Sequence, residues 1–275
     1  VMLSHIILFG AFYYPLEEYL TLLNNPLTKL IHMPIVLLDC FFVISGLVIG
    51  HWLIKTYHTR KKVDLYQFFV RRSARLFPLY ILIIIITIPV YFGNLQNLWA
   101  NILFVNNNLT IPSQYAPWTW AIAVEIQFYL LFGSIMWLLS KKIIGPKICA
   151  TLALIVFLSP FIIIPIIIVK NQYYHLHPLS FVLTHPDSWQ YFDLCFDKLY
   201  IRSTPILYGV LSAYVLVYHQ IALRTMIQRL SSLQINAIVL VFITLLSFTF
   251  TNDPSRYLDQ AQNVWQTSTY WAMLI

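Results

Sequence analysis

The stretch "LLDCFFVISG", residues 37–46, sets a carboxylate into an apolar run. A formal charge near the middle of a bilayer costs about 2.5 kcal/mol or more on insertion scales. Asp39 therefore sits at a water-facing boundary, is paired or protonated, or belongs to a working site. The surrounding composition fits the membrane setting. Of the 275 residues, 59% are hydrophobic and only 10% are charged, whereas a soluble domain carries roughly a quarter charged residues. That length holds about eight spans of ~20 residues with their loops. The expected fold class is all-α, a polytopic transmembrane helical bundle.

Apolar runs bounded by polar residues place the spans near 1–14, 33–54, 76–93, 118–139, 148–169, 200–221, 234–250 and 265–275, the first and last partial. The run 94–117, "NLQNLWANILFVNNNLTIPSQYAP", is too polar at both ends to span, and a short interfacial helix is expected around Leu98–Phe104. The chain starts in an apolar segment without a basic leader and ends in another, "YWAMLI". Residues 1–275 are accordingly expected to form a single transmembrane domain, incomplete at both termini.

A formal charge of +7 raises the question of nucleic acid, but the cations fall in short clusters between apolar runs, which excludes that partner. The loops after the second, fourth and sixth spans hold Lys55, Arg60, Lys61, Lys62, Arg71, Arg72, Arg75, Lys141, Lys142, Lys147, Arg224 and Arg229. That is 12 of the 17 Lys and Arg residues, against the single acid Asp64. The alternate loops hold Glu17, Glu18, Asp187, Asp193, Asp197, Asp253 and Asp259. The asymmetry places the basic loops in the cytoplasm. Cys40, Cys149 and Cys195 have no paired spacing, so neither a disulfide framework nor a metal signature is present. Cys40 and Cys149 read as small apolar core residues. His175, His177 and His185 include a His-x-His pair, but no carboxylate or cysteine pattern completes a metal site.

His5, Asp39 and Glu125 are ionisable residues that lie within predicted spans. At ~1.5 Å rise per residue, His5 lies roughly 14 Å below the outer end of its span, and Asp39 and Glu125 roughly 10 Å below theirs. All three fall in the outer-to-middle bilayer, where a shared cavity is geometrically open to them. A lone histidine serves as a packing residue or as a base, and the carboxylates as inter-helix contacts or as active-site groups. A carboxylate beside a histidine orients a general base and stabilises its charged form.

The segment "FVRRSARLFPLY" spaces Arg71 and Arg75 four apart and Arg72 and Arg75 three apart, at the cytoplasmic mouth of the third span. Positive-inside anchoring accounts for such residues, and so does chelation of phosphate oxygens by guanidinium forks. In "PWTWAIAVEIQFYLLFG", Trp118 and Trp120 suit the outer interface belt, which leaves Glu125 and Gln127 unexplained. No phosphate-cradling glycine loop or nucleophile elbow is present.

Together these segments resemble the acyltransferase-3 family of integral-membrane acyltransferases. "VMLSHI" matches that family's first-span histidine pattern with His5, and "LLDCFFVISG" matches its Gly-Val-Asp-Leu-Phe-Phe-Val-Leu-Ser-Gly pattern. Arg72, Arg75 and Pro78 match Arg-x-x-Arg-x-x-Pro, and "WAIAVEIQFY", residues 120–129, matches Trp-Ser-Leu-Ser-Val-Glu-Glu-Gln-Phe-Tyr. "IRSTPILYGVLSAY" matches a later Arg…Gly segment with Arg202 and Gly209. The matches run in family order from residue 1 to about 214.

The resemblance implies about ten spans in the intact protein, in a bacterial inner membrane. It also implies transfer of an acyl group, often acetyl, from a cytoplasmic acyl-CoA-type donor to a hydroxyl of an envelope or exported carbohydrate. Acyl-CoA is a co-substrate in this reading and no cofactor is expected. His5 is the implied base, with Asp39 and Glu125 as its catalytic companions and Arg72 and Arg75 as donor contacts; Arg71, from the same guanidinium cluster, is expected to join them. Ser45, Trp120, Gln127 and Arg202 are expected to line the cavity. The sequence departs from the family at Leu38, which no glycine precedes, and at Ala121, Ala123 and Ile126, where the pattern has two serines and a second glutamate. A proton-coupled exporter is the competing class, because buried His, Asp and Glu also form proton relays.

Overall fold

The computed structural model describes residues 34–88, 95–171, 188–234 and 236–237. The described residues form helices and 3-10 turns without strands. In lipid, every backbone N–H and C=O must be satisfied within its own segment, which favours helices wherever an apolar run is long enough. Helix α1 covers Pro34–Arg60 and α2 Leu65–Thr87. The short α3 covers Leu98–Ile102, followed by α4, Trp120–Ser140, and α5, Pro146–Asn171. An eight-residue α6, Ser188–Cys195, precedes α7, Leu199–Tyr218, and α8, Gln220–Arg229.

Four helical stretches among the described residues are long and apolar enough to cross a membrane: Leu38–Arg60, Pro117–Ser140, Pro146–Asn171 and Leu199–Tyr218. They coincide with four of the spans expected from sequence, and the chain is an all-α integral membrane protein. The expected spans at 1–14 and 265–275 lie outside the described residues, as does nearly all of 234–250. The third expected span, 76–93, begins earlier than its apolar run. Its helix starts at Leu65, where Asp64 accepts a hydrogen bond from the Gln67 backbone N–H as an N-cap, and it continues through Pro78.

The core is built where α1, α2, α4 and α7 meet. Phe42, Ile49, Leu53, Phe68, Trp120, Val124, Phe128 and Ile206 bury their side chains together there. Among the described residues, helices α1 and α7 make the most extensive contact and run parallel: Asp39 meets Arg202 near one end, and the His58 and Tyr218 rings meet at 4.8 Å near the other. Two small residues four apart on each helix permit this approach. A Cβ on Gly46 would lie 1.9 Å from the Ile206 carbonyl oxygen, and one on Gly209 would lie 2.0 Å from that of Val43. Gly50 and Ala213 extend the same seam, so the two backbones touch along more than a turn. Small-residue seams of this kind replace the hydrophobic drive that lipid does not supply.

Among the described residues, helix α5 packs mainly against α7, with smaller contacts to α4 and α6, and exposes Leu154, Ile155, Ile162, Ile166 and Val169. Pro160 leaves the Val156 carbonyl without its helical donor, and the Ser159 hydroxyl supplies one at 2.8 Å. The cysteine expectation is corrected in part. Cys40 is exposed on α1 and Cys149 half-buried. An apolar run in a membrane helix is apolar on its lipid-facing side as well, so hydrophobic surroundings in sequence do not imply a place in the core.

Candidate active site

Asp39, one of the two carboxylates of interest in α1 and α4, is committed to a partner from α7. Arg202 Nη1 donates to Asp39 Oδ1 at 2.8 Å, and Arg202 Nε donates to the Phe196 carbonyl at 2.7 Å. The guanidinium lies 3.9 Å from the Phe196 ring centroid and 5.7 Å from that of Trp120. Arg202 is 1% exposed. The charge that looked isolated in "LLDCFFVISG" is thus neutralised by a cation from a helix more than 160 residues later. Paired, hydrogen-bonded burial is the condition under which such a pair persists in a low-dielectric interior.

Glu125, on α4, is 3% exposed and is held differently. The Ser45 hydroxyl of α1 donates to its Oε1 at 2.5 Å, and the Tyr129 hydroxyl, one turn along α4, donates to the same oxygen. Among the described residues, Oε2 has no hydrogen-bond partner. Ser45 and Glu125 therefore form a cross-helix pair at the α1–α4 contact, one residue from the glycine where α1 packs on α7. The alanines at 121 and 123 place no hydroxyls near Glu125, and Ser45 and Tyr129 hold it from α1 and from the next turn of α4.

The three arginines of α2 are not equivalent. Arg71 and Arg75 are exposed, whereas Arg72 is half-buried with its guanidinium 5.8 Å from the Tyr129 ring centroid. One turn earlier Phe68 meets the same ring edge-on at 6.3 Å, and its stacking with Trp52 at 5.5 Å ties that junction to α1. Helix α2 thus carries two exposed guanidiniums and a third directed at the tyrosine that holds Glu125.

Gln127 belongs to another structure. The polar stretch after α2 folds into 3-10 turns around α3 whose side chains are largely buried rather than solvated: Asn101, Asn106, Asn107 and Gln114 are each 0% exposed. Phe104, with φ 56°, closes α3: the Phe104 N–H donates to the Asn101 carbonyl and the Val105 N–H to the Ala100 carbonyl. Gln127 donates to the Phe104 carbonyl and to Asn107 Oδ1, both at 2.7 Å. Asn101 and Asn106 both donate to Thr119, and Asp193 on α6 accepts from the Ile111 N–H. Lys198 bridges Asp197 and the Asn107 carbonyl. Non-helical backbone in a membrane protein is tolerated where protein covers it. Burial pushes the Asp197 carboxyl up to about 7, against the opposing pull of Lys198, and raises Asp193 in the same direction.

Of the residues expected at the site, Asp39, Arg202 and Trp120 come together in one cluster, and Ser45 with Glu125 in a second. Phe42 joins them: its ring centroid lies 6.3 Å from that of Trp120. Gln127 is diverted to the buried polar turns. His5 lies outside the described residues, as do His175, His177 and His185. Tyr129 was not singled out from sequence, although its i+4 spacing from Glu125 is a usable signal. Among the described residues, no group of three or more His, Cys, Asp or Glu side chains is arranged to hold a metal ion.

Comparison with known proteins gives these clusters a context. The family model described as "Acyltransferase domain" matches residues 1–275. The O-acetyltransferase OatA of Staphylococcus aureus strain NCTC 8325 is 32% identical over 139 residues, covering 44% of this chain and 23% of the relative. The peptidoglycan O-acetyltransferase OatA of Listeria monocytogenes is 29% identical over 130 residues, 40% of this chain and 21% of the relative. An uncharacterized protein of Haemophilus influenzae is 26% identical over 230 residues, 77% of this chain and 84% of its own length. The match thus spans less than a quarter of the named O-acetyltransferases. No solved structure matches. With the family model matched along the whole chain, the protein belongs to the acyltransferase-3 family.

Proposed function

We propose that the protein is a membrane O-acyltransferase. It moves an acyl group, acetyl in the simplest case, from a cytoplasmic acyl-CoA-type thioester to a hydroxyl of an envelope carbohydrate, across a bacterial cytoplasmic membrane. The observation that carries this reading is Glu125: a buried carboxylate fixed through Oε1, with Oε2 unpartnered among the described residues, one packed tyrosine away from an arginine of α2. Asp39 is already matched by Arg202, so Glu125 is the carboxylate available to orient a base.

The acceptor hydroxyl oxygen attacks the thioester carbonyl carbon while His5 takes the hydroxyl proton. The new C–O bond forms, the C–S bond breaks, and the proton leaves with the thiolate as free thiol. Such positioned base catalysis by His5 is worth about 10²–10⁴-fold, and Glu125 stabilises the transient imidazolium. Arg71 and Arg75, exposed on α2, hold the donor's phosphates, and Arg72 joins them from its half-buried position. Trp120 and Arg202 wall the outer end.

The test is His5→Ala in the full-length protein, with acyl ester on envelope glycan measured by mass spectrometry. Loss of the ester with normal expression is expected. Undiminished acylation overturns the base role, and substrate flux into proteoliposomes without thioester consumption would establish an exporter instead.

A further inference from the structure

Tyr129 has no place in the reaction scheme above, yet it is among the most constrained polar side chains near Glu125. It is 3% exposed, and its hydroxyl donates to the same Glu125 oxygen that accepts from Ser45. Its ring is gripped on the α2 side by Phe68, edge-on, and by the Arg72 guanidinium. Phe68 and Arg72 are four apart, so a single face of α2 sets the tilt of the ring. With the ring fixed, the hydroxyl has one described acceptor, and with two donors on Oε1, the carboxylate plane is fixed as well. Oε2 is then the oxygen left to face a third group. A freely rotating carboxylate would spread its population over geometries that do not meet that group.

Resting on the acyltransferase reading, we infer that Tyr129 is a positioning residue: it locks Glu125 in its working orientation and couples that carboxylate to Arg72 on the donor side. Arg72 acts on Glu125 through the tyrosine ring. A donor phosphate drawing on Arg72 changes the packing on that ring, so donor binding and carboxylate geometry are linked through one side chain. Ser45 supplies the second hydroxyl from α1. Its neighbour Gly46 is held against the Ile206 backbone, so this second donor is fixed by a different pair of helices. The two hydroxyls therefore report on two junctions, α2–α4 and α1–α7.

The test compares Tyr129→Phe and Tyr129→Leu with wild type in the full-length protein in proteoliposomes, using an acetyl thioester of coenzyme A as donor. Tyr129→Phe keeps the ring under Arg72 and removes only the hydroxyl. Its kcat is expected to fall on the order of 10- to 100-fold, as for a misplaced catalytic group, with the donor KM unchanged. Tyr129→Leu removes the ring and is expected to raise the donor KM as well. Where Tyr129→Phe fails to fold, Ser45→Ala removes the other hydroxyl with a smaller change in volume and is expected to show the same kcat-only loss. A Tyr129→Phe protein with wild-type kcat, or with activity lost only in proportion to folded protein, overturns the inference. A wild-type protein that consumes no thioester overturns the acyltransfer reading, whereas an active wild type with an unaffected Tyr129→Phe overturns the coupling alone.

Discussion

Removing Arg202 is the sharpest structural perturbation available. Arg202→Met deletes the donor to Asp39 and the donor to the Phe196 carbonyl while keeping a long apolar side chain between Phe196 and Trp120. The remaining Asp39 is buried without its cation, and breaking a buried pair from one side costs about 3–5 kcal/mol. At roughly 2–4 °C of melting temperature per kcal/mol for a chain near this size, the expected drop is on the order of 6–20 °C. The assay is thermal melting of the detergent-solubilised protein, followed by the fraction that remains monodisperse. The control is the double variant Asp39→Leu with Arg202→Met, which removes both charges together. It is expected to recover most of the loss, because replacing a buried pair by apolar groups of similar volume is often near neutral. The hydrogen bond from Arg202 Nε to the Phe196 carbonyl is still lost, so recovery should stop short of wild type by about 1 kcal/mol. An Arg202→Met protein that melts like wild type refutes the reasoning, as does a double variant no better than the single.

Two further outcomes follow from the seam and from the buried turns. Gly46→Ala places a Cβ 1.9 Å from the Ile206 carbonyl oxygen, a backbone atom that cannot swing aside. It should cost about 1–3 kcal/mol or more as overpacking, whereas Gly145→Ala, with no atom within 4 Å of its Cβ, should leave the melting temperature little changed. Asp197 has a folded pKa of about 7 against its ordinary 3.8, because burial outweighs the attraction of Lys198 and Asp193 adds repulsion. Between those values the folded protein binds a proton that the unfolded chain has released, so stability falls as pH rises from about 4 to 7 and does not vary from this cause below 3.8. Asp197→Asn should shrink the difference in melting temperature between pH 5 and pH 8; an unchanged difference would assign the pH dependence elsewhere.

The parts of this molecule legible in its sequence are those fixed by the solvent. A bilayer leaves no water for backbone groups, so α1, α4, α5 and α7 had to appear as apolar windows, and the basic loops had to mark one side. What escaped was set by partners distant in sequence. Asp39 showed that it needed a counter-charge, but the choice of Arg202 depends on α1 and α7 packing in parallel register along Gly46 and Gly209. The asparagines after α2 read as too polar to span, which was right. Their burial follows only once α4, α6 and the start of α7 close around them. Asp193 and Asp197 count in the sequence as outer-loop charges, whereas in the structure Asp193 ties those turns to α6 and Asp197 ties them to the start of α7. Glu125 was identifiable from its place in an apolar helix, and Tyr129 by spacing from it. Ser45 as its hydrogen-bond partner required the α1–α4 contact itself.

Glu125 is the described carboxylate on which the proposed acyl transfer depends. The most direct measurement supplies a thioester donor with an isotopically labelled acetyl group to the cytoplasmic face of membrane vesicles holding the full-length protein and envelope glycan, and counts alkali-labile label on the glycan. Label that appears with the wild-type protein and is lost with Glu125→Gln, at equal protein levels, is the predicted result. Label that is independent of the protein, or undiminished in Glu125→Gln, would contradict it.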